Sequence, residues 1–452
     1  MTIRRAAALC GGRLCGTGDP ETEIGKIVID TRALEKGDLF AAFRGERVDG
    51  HDFIPAAFER GAACCIGERM PEGETRPVIV VDDVLTALEQ ITAAYRSDFD
   101  LPVVGITGSV GKTTAKEMIS AVLEQRFCTL KTEGNLNNRY GVPMMLSKLG
   151  SGHEAAVIEM GISEFGEMRR LARMVRPTLA VYTTIGHAHL EFLHDLDGVL
   201  RAKTEMLETM PETAPVVVNG DDEKLRALQC RQRKITYGFG AHCDVRAENL
   251  ETGEEQTCDI VCGLRRIPVR IPAFGQHYVY AALAAAAVGM LLGLDDRQIA
   301  DGIAAFHNVG RRGETFRSAG LTVVDDSYNA NPDSVCNGID NLIRMPARRH
   351  ICILGDMLEL GENTLKMHYE VGSYALEKGI DLVLTSGNCA REMSRAAGER
   401  GHHFESRDEL IAALPELLKE GDCILVKASK GSHFETVSAA LRDIRLPEKE
   451  TD

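Results

Sequence analysis

The sequence predicts an α/β protein of three domains: a small N-terminal unit, a central parallel-sheet domain built round a phosphate-binding loop, and a C-terminal Rossmann-like α/β domain. Three observations carry this reading. The string Gly105-Ile-Thr-Gly-Ser-Val-Gly-Lys-Thr-Thr114 lies between an apolar run at 101–104 and a helical pattern in which Met118, Ile119, Val122 and Leu123 recur. From Val103 onward, apolar runs of strand length alternate with helical stretches, which is the pattern of a parallel sheet covered by helices. A second alternating series begins at Leu321.

Taken in order, residues 1–98 hold short strand-like and helical pieces at 27–30, 38–43, 53–61 and 78–81. Asp98-Phe-Asp-Leu-Pro102 reads as a linker, because Asp and Pro break both helix and strand. The central unit, 99–310, carries strands at 155–158, 178–182 and 216–218, and an alanine-rich stretch at 281–294 that reads as a buried helix. Gly310-Arg-Arg-Gly313 interrupts the pattern and marks the next boundary. The last unit, 311–452, places buried strands at 321–324, 351–354, 382–384 and 424–426.

The glycine-rich string is ATPase-like in context. Its usual first glycine is replaced by Ile106, so it is better written T-G-x-x-G-K-T-T, from Thr107 to Thr114. Gly108 and Gly111 let the backbone approach phosphates, and the loop amides, with Ser109 and Val110 between the glycines, point partial positive charge at the anion. Lys112 can reach terminal phosphates, and the Thr113 hydroxyl can hold Mg²⁺. The expected ligand is ATP. Polar residues then collect after predicted strands, at the edge where open α/β sheets bind ligands. Glu159 follows 155–158, and His187 and His189 follow 178–185. Glu159 alone would read either as a Mg²⁺ ligand or as a solvated strand-end acid, and His189 alone as a hydrogen-bonding core residue.

Composition excludes several classes. A net charge of −15 with no basic run argues against a sequence-independent nucleic-acid binder. No apolar run reaches the ~18 residues that span a bilayer. Residues 1–12 lack the long apolar core of a secretory signal. Thirteen scattered cysteines without C-x-x-C read as reduced thiols, and Cys258 with Cys262 lacks a second pair for a metal. The expectation is a cytoplasmic monomer without membrane insertion.

The strings Thr107–Thr114, Gly134-Asn-Leu-Asn-Asn138, Val157-Ile-Glu-Met-Gly161, Ala188-His-Leu-Glu191, Ala202-Lys-Thr-Glu205 and Asp326-Ser-Tyr-Asn-Ala-Asn-Pro332 resemble, in this order, those of the Mur ligase family. The last string, Ile353-Leu-Gly-Asp-Met-Leu-Glu-Leu-Gly361, Asp30-Thr-Arg32, Gly37-Asp-Leu-Phe40 and the stretch from Phe43 to Phe53 resemble its MurF branch. The resemblance implies three domains that hold, in turn, the UDP part of the substrate, ATP, and the incoming D-Ala-D-Ala. It implies ATP-driven amide formation on UDP-MurNAc-tripeptide through an acyl phosphate.

By the same resemblance, Lys112, Thr113 and Thr114 serve phosphates and Mg²⁺, while Glu159 and His189 hold a second Mg²⁺. Lys203 matches a lysine that takes up CO₂ to become a carbamate ligand; a surface lysine on a helix at 200–210 is its plain alternative. Arg311 matches an arginine near the phosphates, and Asp326 and Asn329 match nucleotide contacts. Thr31, Arg32 and the turn from Gly45 to His51 are candidates for the UDP-sugar. Asn135, Asn137 and Asn138 are candidates for the muramoyl peptide, and Lys427 and Ser429 for the dipeptide.

The chain departs from the family pattern at Tyr278 and Ala281, where asparagine is common. Adenine recognition is thereby left to His277, with Tyr278 as a stacking ring. The usual Lys-Gly-Ser-Arg stands here as Lys427-Ala-Ser-Lys430. The alternatives are a sister ligase of Mur or folylpolyglutamate type that adds one amino acid, and a nucleotide-binding homologue with impaired catalysis.

Overall fold

The computed structural model describes residues 1–45, 48–253, 255–310 and 312–447. Three sheets of five, nine and six strands follow one another along the chain, with separate apolar clusters beneath them. The first sheet pairs Ile27–Val28, Leu39–Ala41, Cys64–Gly67 and Val78–Val80 in parallel, with Arg13–Cys15 antiparallel at its edge.

The central sheet has the P-loop strand, Val103–Thr107, between Ala155–Glu159 and Leu179–Tyr182, all parallel. Being covered on both faces, these strands are buried at every position. The expected parallel sheet is lengthened at one edge. Val245–Thr252, Gln256–Cys262 and Arg265–Ile271 extend the sheet, and the last two join antiparallel. Strand Arg265–Ile271 alternates buried with exposed or half-buried positions, as a sheet with one solvated face requires. Cys258 and Cys262 are packing residues of this extension.

Two helices close the core behind the P-loop helix, Lys112–Leu123. Gln276–Leu291 is the expected buried alanine-rich helix, and Asp296–Ala304 follows it. Small residues set the approach. A Cβ on Gly302 would stand 2.4 Å from Val122 Cα, and one on Gly289 3.0 Å from Val122 Cγ1. No described helix is long and apolar enough to cross a membrane.

The C-terminal sheet runs parallel through Leu321–Asp325, Asp422–Lys427, Arg349–Leu354, Leu382–Ser386 and Gly401–Phe404, with Glu314–Ser318 antiparallel at one edge. Asn331 opens the helix Pro332–Leu342 with a capping box shared with Ser334. The carboxyl ends of the P-loop strand and of Leu321–Asp325 open onto one cavity.

Candidate active site

The P-loop is clamped by the segment that leaves strand Leu179–Tyr182. Ser109 N donates to Thr184 O at 2.8 Å, and Thr183 Oγ1 donates to Val110 O at 2.6 Å. Gly108 has φ 151° and Gly111 φ 82°, conformations that side chains disfavour. A Cβ on Gly108 would fall 1.9 Å from Thr183 Oγ1. Thr183 and Thr184 were not among the expected residues, because nothing in their sequence context distinguishes a clamp from a strand end. Thr107 is fully buried beneath the loop, while Ser109, Val110, Gly111, Lys112, Thr113 and Thr114 line the cavity.

Lys112 Nζ folds back to Gly108 O at 2.8 Å. Burial lowers its pKa; Glu159 opposes that shift and Arg312 adds to it. Glu159 is the centre of the polar network and is 1% exposed. Its Oε2 accepts from Thr113 Oγ1 at 2.9 Å and its Oε1 from Asn137 Nδ2 at 2.7 Å. Thr132 Oγ1 accepts the Glu159 amide at 2.9 Å. Glu159 is therefore no solvated strand-end acid. A buried carboxylate with a hydroxyl and an amide oxygen beside it, opening on a cavity, is a hard-oxygen donor set that fits Mg²⁺.

His189 also lines the cavity, held at φ 57°. Its Nδ1 pairs with Glu359 Oε2 at 2.5 Å, which leaves Nε2 as the nitrogen available to a ligand. Lys203, at 1% exposure on helix Leu196–Thr204, is not the surface lysine of the plain alternative. It does not line the cavity. Burial drives its pKa well below the ordinary lysine value, and the charge of Lys112 pushes the same way.

The C-terminal domain supplies the opposite wall. Lys427 is 3% exposed and its Nζ reaches Asp326 Oδ2 at 2.5 Å and Asn329 O at 2.9 Å. Ser429 Oγ accepts Leu358 N at 2.9 Å and donates to Ala330 O at 3.2 Å. Arg312 stacks its guanidinium 3.9 Å above the Tyr328 ring. Arg311 lies outside the described residues. Arg312, its neighbour, lines the cavity.

His277 faces the cavity, with Nδ1 3.3 Å from Asn341 Nδ2. Burial pushes its pKa down to about 4. Tyr278 does not present its ring to the cavity: it is 2% exposed and packs on Phe306. A stacking role on adenine is corrected accordingly, since the helix face that carries Tyr278 points into the core.

Asn135, Asn137 and Asn138 line the cavity on the central-domain side. Asn138 also accepts Gly141 N at 2.9 Å, as a turn residue does. Thr31, Arg32 and Gly45 stand apart from the cavity, in the N-terminal domain. Arg32 is exposed and paired with Asp30 at 2.7 Å. Gly45 N donates to Val48 O at 2.9 Å, and residues 46–47 of the expected turn lie outside the described residues. Phe43 and Tyr140, 5.2 Å apart, join that domain to the asparagine loop.

A cavity of about 490 Å³ is walled by a phosphate-binding loop on one domain and a Lys–Asp pair on the next, the arrangement of a P-loop protein with a site between domains. Three family models agree in chain order: Mur ligase family, catalytic domain, over residues 23–96; Mur ligase middle domain over 106–289; and Mur ligase, glutamate ligase domain, over 311–430. The UDP-N-acetylmuramoyl-tripeptide–D-alanyl-D-alanine ligase of Bacillus subtilis is 35% identical over 96% of this chain and 97% of its own. That of Escherichia coli is 35% identical over 98% of each chain. A crystal structure of MurF from Acinetobacter baumannii superposes with a TM-score of 0.90 at 30% identity, over 98% of this chain and 99% of that one. MurF from Thermotoga maritima in complex with ADP gives 0.83 at 27% identity, over 93% and 97%. The chain belongs to the Mur ligase family, and within it to the MurF branch.

Proposed function

We propose that this protein joins D-alanyl-D-alanine to UDP-N-acetylmuramoyl-tripeptide with hydrolysis of ATP to ADP and phosphate. One observation carries the reading: Lys112, Thr113 and Glu159 of the central domain share a cavity with Asp326, Lys427 and Ser429 of the C-terminal domain. A carboxylate is a poor acyl donor because oxide is a poor leaving group. The terminal carboxylate of the tripeptide attacks the γ-phosphorus of ATP, ADP departs, and an acyl phosphate forms. The amine of the dipeptide then adds to the acyl carbon. Loss of phosphate and of the amine proton leaves the amide.

The chain's own groups account for the physical demands of these steps. Loop amides and Lys112 offset the charge that accumulates as two anions meet. Thr113, Glu159 and His189 would hold Mg²⁺, which would neutralise phosphate charge when bound. Burial disfavours the charged form of Lys203, and the neutral amine is the form that could add to CO₂ with loss of a proton and so gain oxygen ligand atoms. Asn135, Asn137 and Asn138 orient the acceptor peptide, Thr31, Arg32 and the turn at Gly45 take the UDP-sugar, and Lys427 with Ser429 takes the dipeptide. His277 meets the adenine, and Asp326 and Asn329 the rest of the nucleoside. The three domains fall at 1–98, 99–310 and 311–452.

Phosphate release with each substrate omitted in turn tests the reading. Release is expected only when ATP, the UDP-linked tripeptide and D-Ala-D-Ala are all present. Equal release with single amino acids would instead indicate a sister ligase, and none at all a binding protein.

A further inference from the structure

Tyr278 is buried, and its hydroxyl has a defined set of partners. The ring lies between His277 and Phe306, at centroid distances of 4.0 and 5.7 Å. A phenol at 2% exposure must hydrogen-bond within the protein or lose the bond altogether. Its partners among the described residues belong to the short segment between the central and C-terminal domains. Asn308 Nδ2 donates to the Tyr278 oxygen at 2.7 Å and to Arg312 O at 2.8 Å. The Tyr278 hydroxyl donates to Arg312 O at 3.3 Å. A Cβ on Gly313 would lie 3.2 Å from the same oxygen.

These contacts close a small ring. It ties Asn308 and Arg312, both of the interdomain segment, to a helix of the central domain. The far end is tied to the C-terminal sheet, because Gly313 N donates to Asp325 O at 3.0 Å. Arg312 projects from this turn into the cavity, where Tyr328 supports its guanidinium at 3.9 Å and its charge is felt at Lys112. The carbonyl and the guanidinium of Arg312 are thus held by different domains, the first by Tyr278 and Asn308, the second by Tyr328.

We propose that Tyr278 is a positioning residue: through its hydroxyl it sets the interdomain turn so that Arg312 faces the phosphates of ATP. This rests on the nucleotide reading of the cavity given above.

The test compares steady-state kinetics of Tyr278→Phe, Asn308→Ala and Arg312→Ala in the full chain, with each substrate varied. Tyr278→Phe keeps the buried ring, and Asn308 is exposed, so each variant reaches the same ring of bonds by a different route. The expected result is a rise of about three- to tenfold in KM for ATP in both, the loss of one or two hydrogen bonds, with KM for the UDP-linked tripeptide unchanged. Arg312→Ala gives a larger rise, and adding Tyr278→Phe to it gives no further change, because the group being positioned is gone. Effects that multiply in the double variant, or an unchanged KM for ATP in Tyr278→Phe and Asn308→Ala, would overturn the positioning role. A wild-type enzyme that neither binds nor uses ATP would instead remove the reading on which it rests.

Discussion

Glu159 shows how much a single residue can organise. Its two oxygens are held by Thr113 and Asn137, from the phosphate loop and the asparagine loop. Replacing it with Gln keeps the shape and introduces a donor where Thr113 now donates. We expect turnover to fall at least a hundredfold, and the Mg²⁺ concentration for half-maximal rate to rise, in a metal titration of the variant. Lys112→Ala is expected to abolish phosphate release altogether. Lys203→Ala should do so too, with partial recovery in millimolar acetate or formate, since a small carboxylate can occupy the space of the proposed carbamate. Full activity without rescue would refute that role.

His277 gives a residue-scale prediction of a different kind. Its folded pKa of about 4 lies below the ordinary 6.5. The unfolded chain therefore takes up a proton first as pH falls, and the stability associated with the neutral ring is present above 6.5 and lost between there and about 4. An NMR titration of the His277 ring should show no midpoint near 6.5. Of the site residues, those in recognisable strings were legible in the sequence. Arg312, Thr183 and Asn341 were not, because each acts through a contact made by distant chain segments; Glu359 stands in such a string, but its pairing with His189 could not be read there.

Among elements, the strand–loop–helix of the phosphate site was the most legible, because its glycines, lysine and apolar periodicity are all local. Its true helix begins at Lys112, where the loop ends, rather than at the first clear apolar spacing. The antiparallel pair Gln256–Cys262 and Arg265–Ile271 was not legible. Ile267, Val269 and Ile271 do alternate with Arg266, Pro268 and Arg270, but a proline argues against a strand, and the partners of Arg266, Glu248 and Asp259, lie across the strands. The loop also carries a clean prediction. Gly108→Ala would place a methyl group within 1.9 Å of Thr183 Oγ1 in a backbone conformation that alanine resists. We expect loss of nucleotide binding in a fluorescent-ADP titration, together with a lower melting temperature, through the broken clamp.

At the scale of the whole molecule, two bridges cross from the central to the C-terminal domain beside the cavity. His187 N donates to Asp333 Oδ2 at 2.5 Å, with the ring 3.1 Å from the same carboxylate, and His189 pairs with Glu359. Gly186 leaves room for the first, since a Cβ there would sit 2.4 Å from Asp333 Oδ2. The proposed reaction calls for closure of the two domains over ATP, to bring the amine to the acyl phosphate and exclude water, and these contacts would support it. Asp333→Ala should lower kcat by about fivefold, the order expected for losing charge-assisted hydrogen bonds, and should widen the ATP-bound particle in small-angle scattering. A variant as compact and as fast as wild type would deny the bridge any part in closure. Domain order could be read from the sequence; the bridges could not, since neither partner marks itself in its own neighbourhood.

The helix Gln276–Leu291 has a practical corollary. It is buried along almost its whole length and shields the face of the P-loop helix that carries Val122. Any truncated version meant for isolated study must therefore retain everything through at least residue 304. A shorter piece would expose that greasy flank and be expected to precipitate rather than to yield a minimal nucleotide-binding fragment.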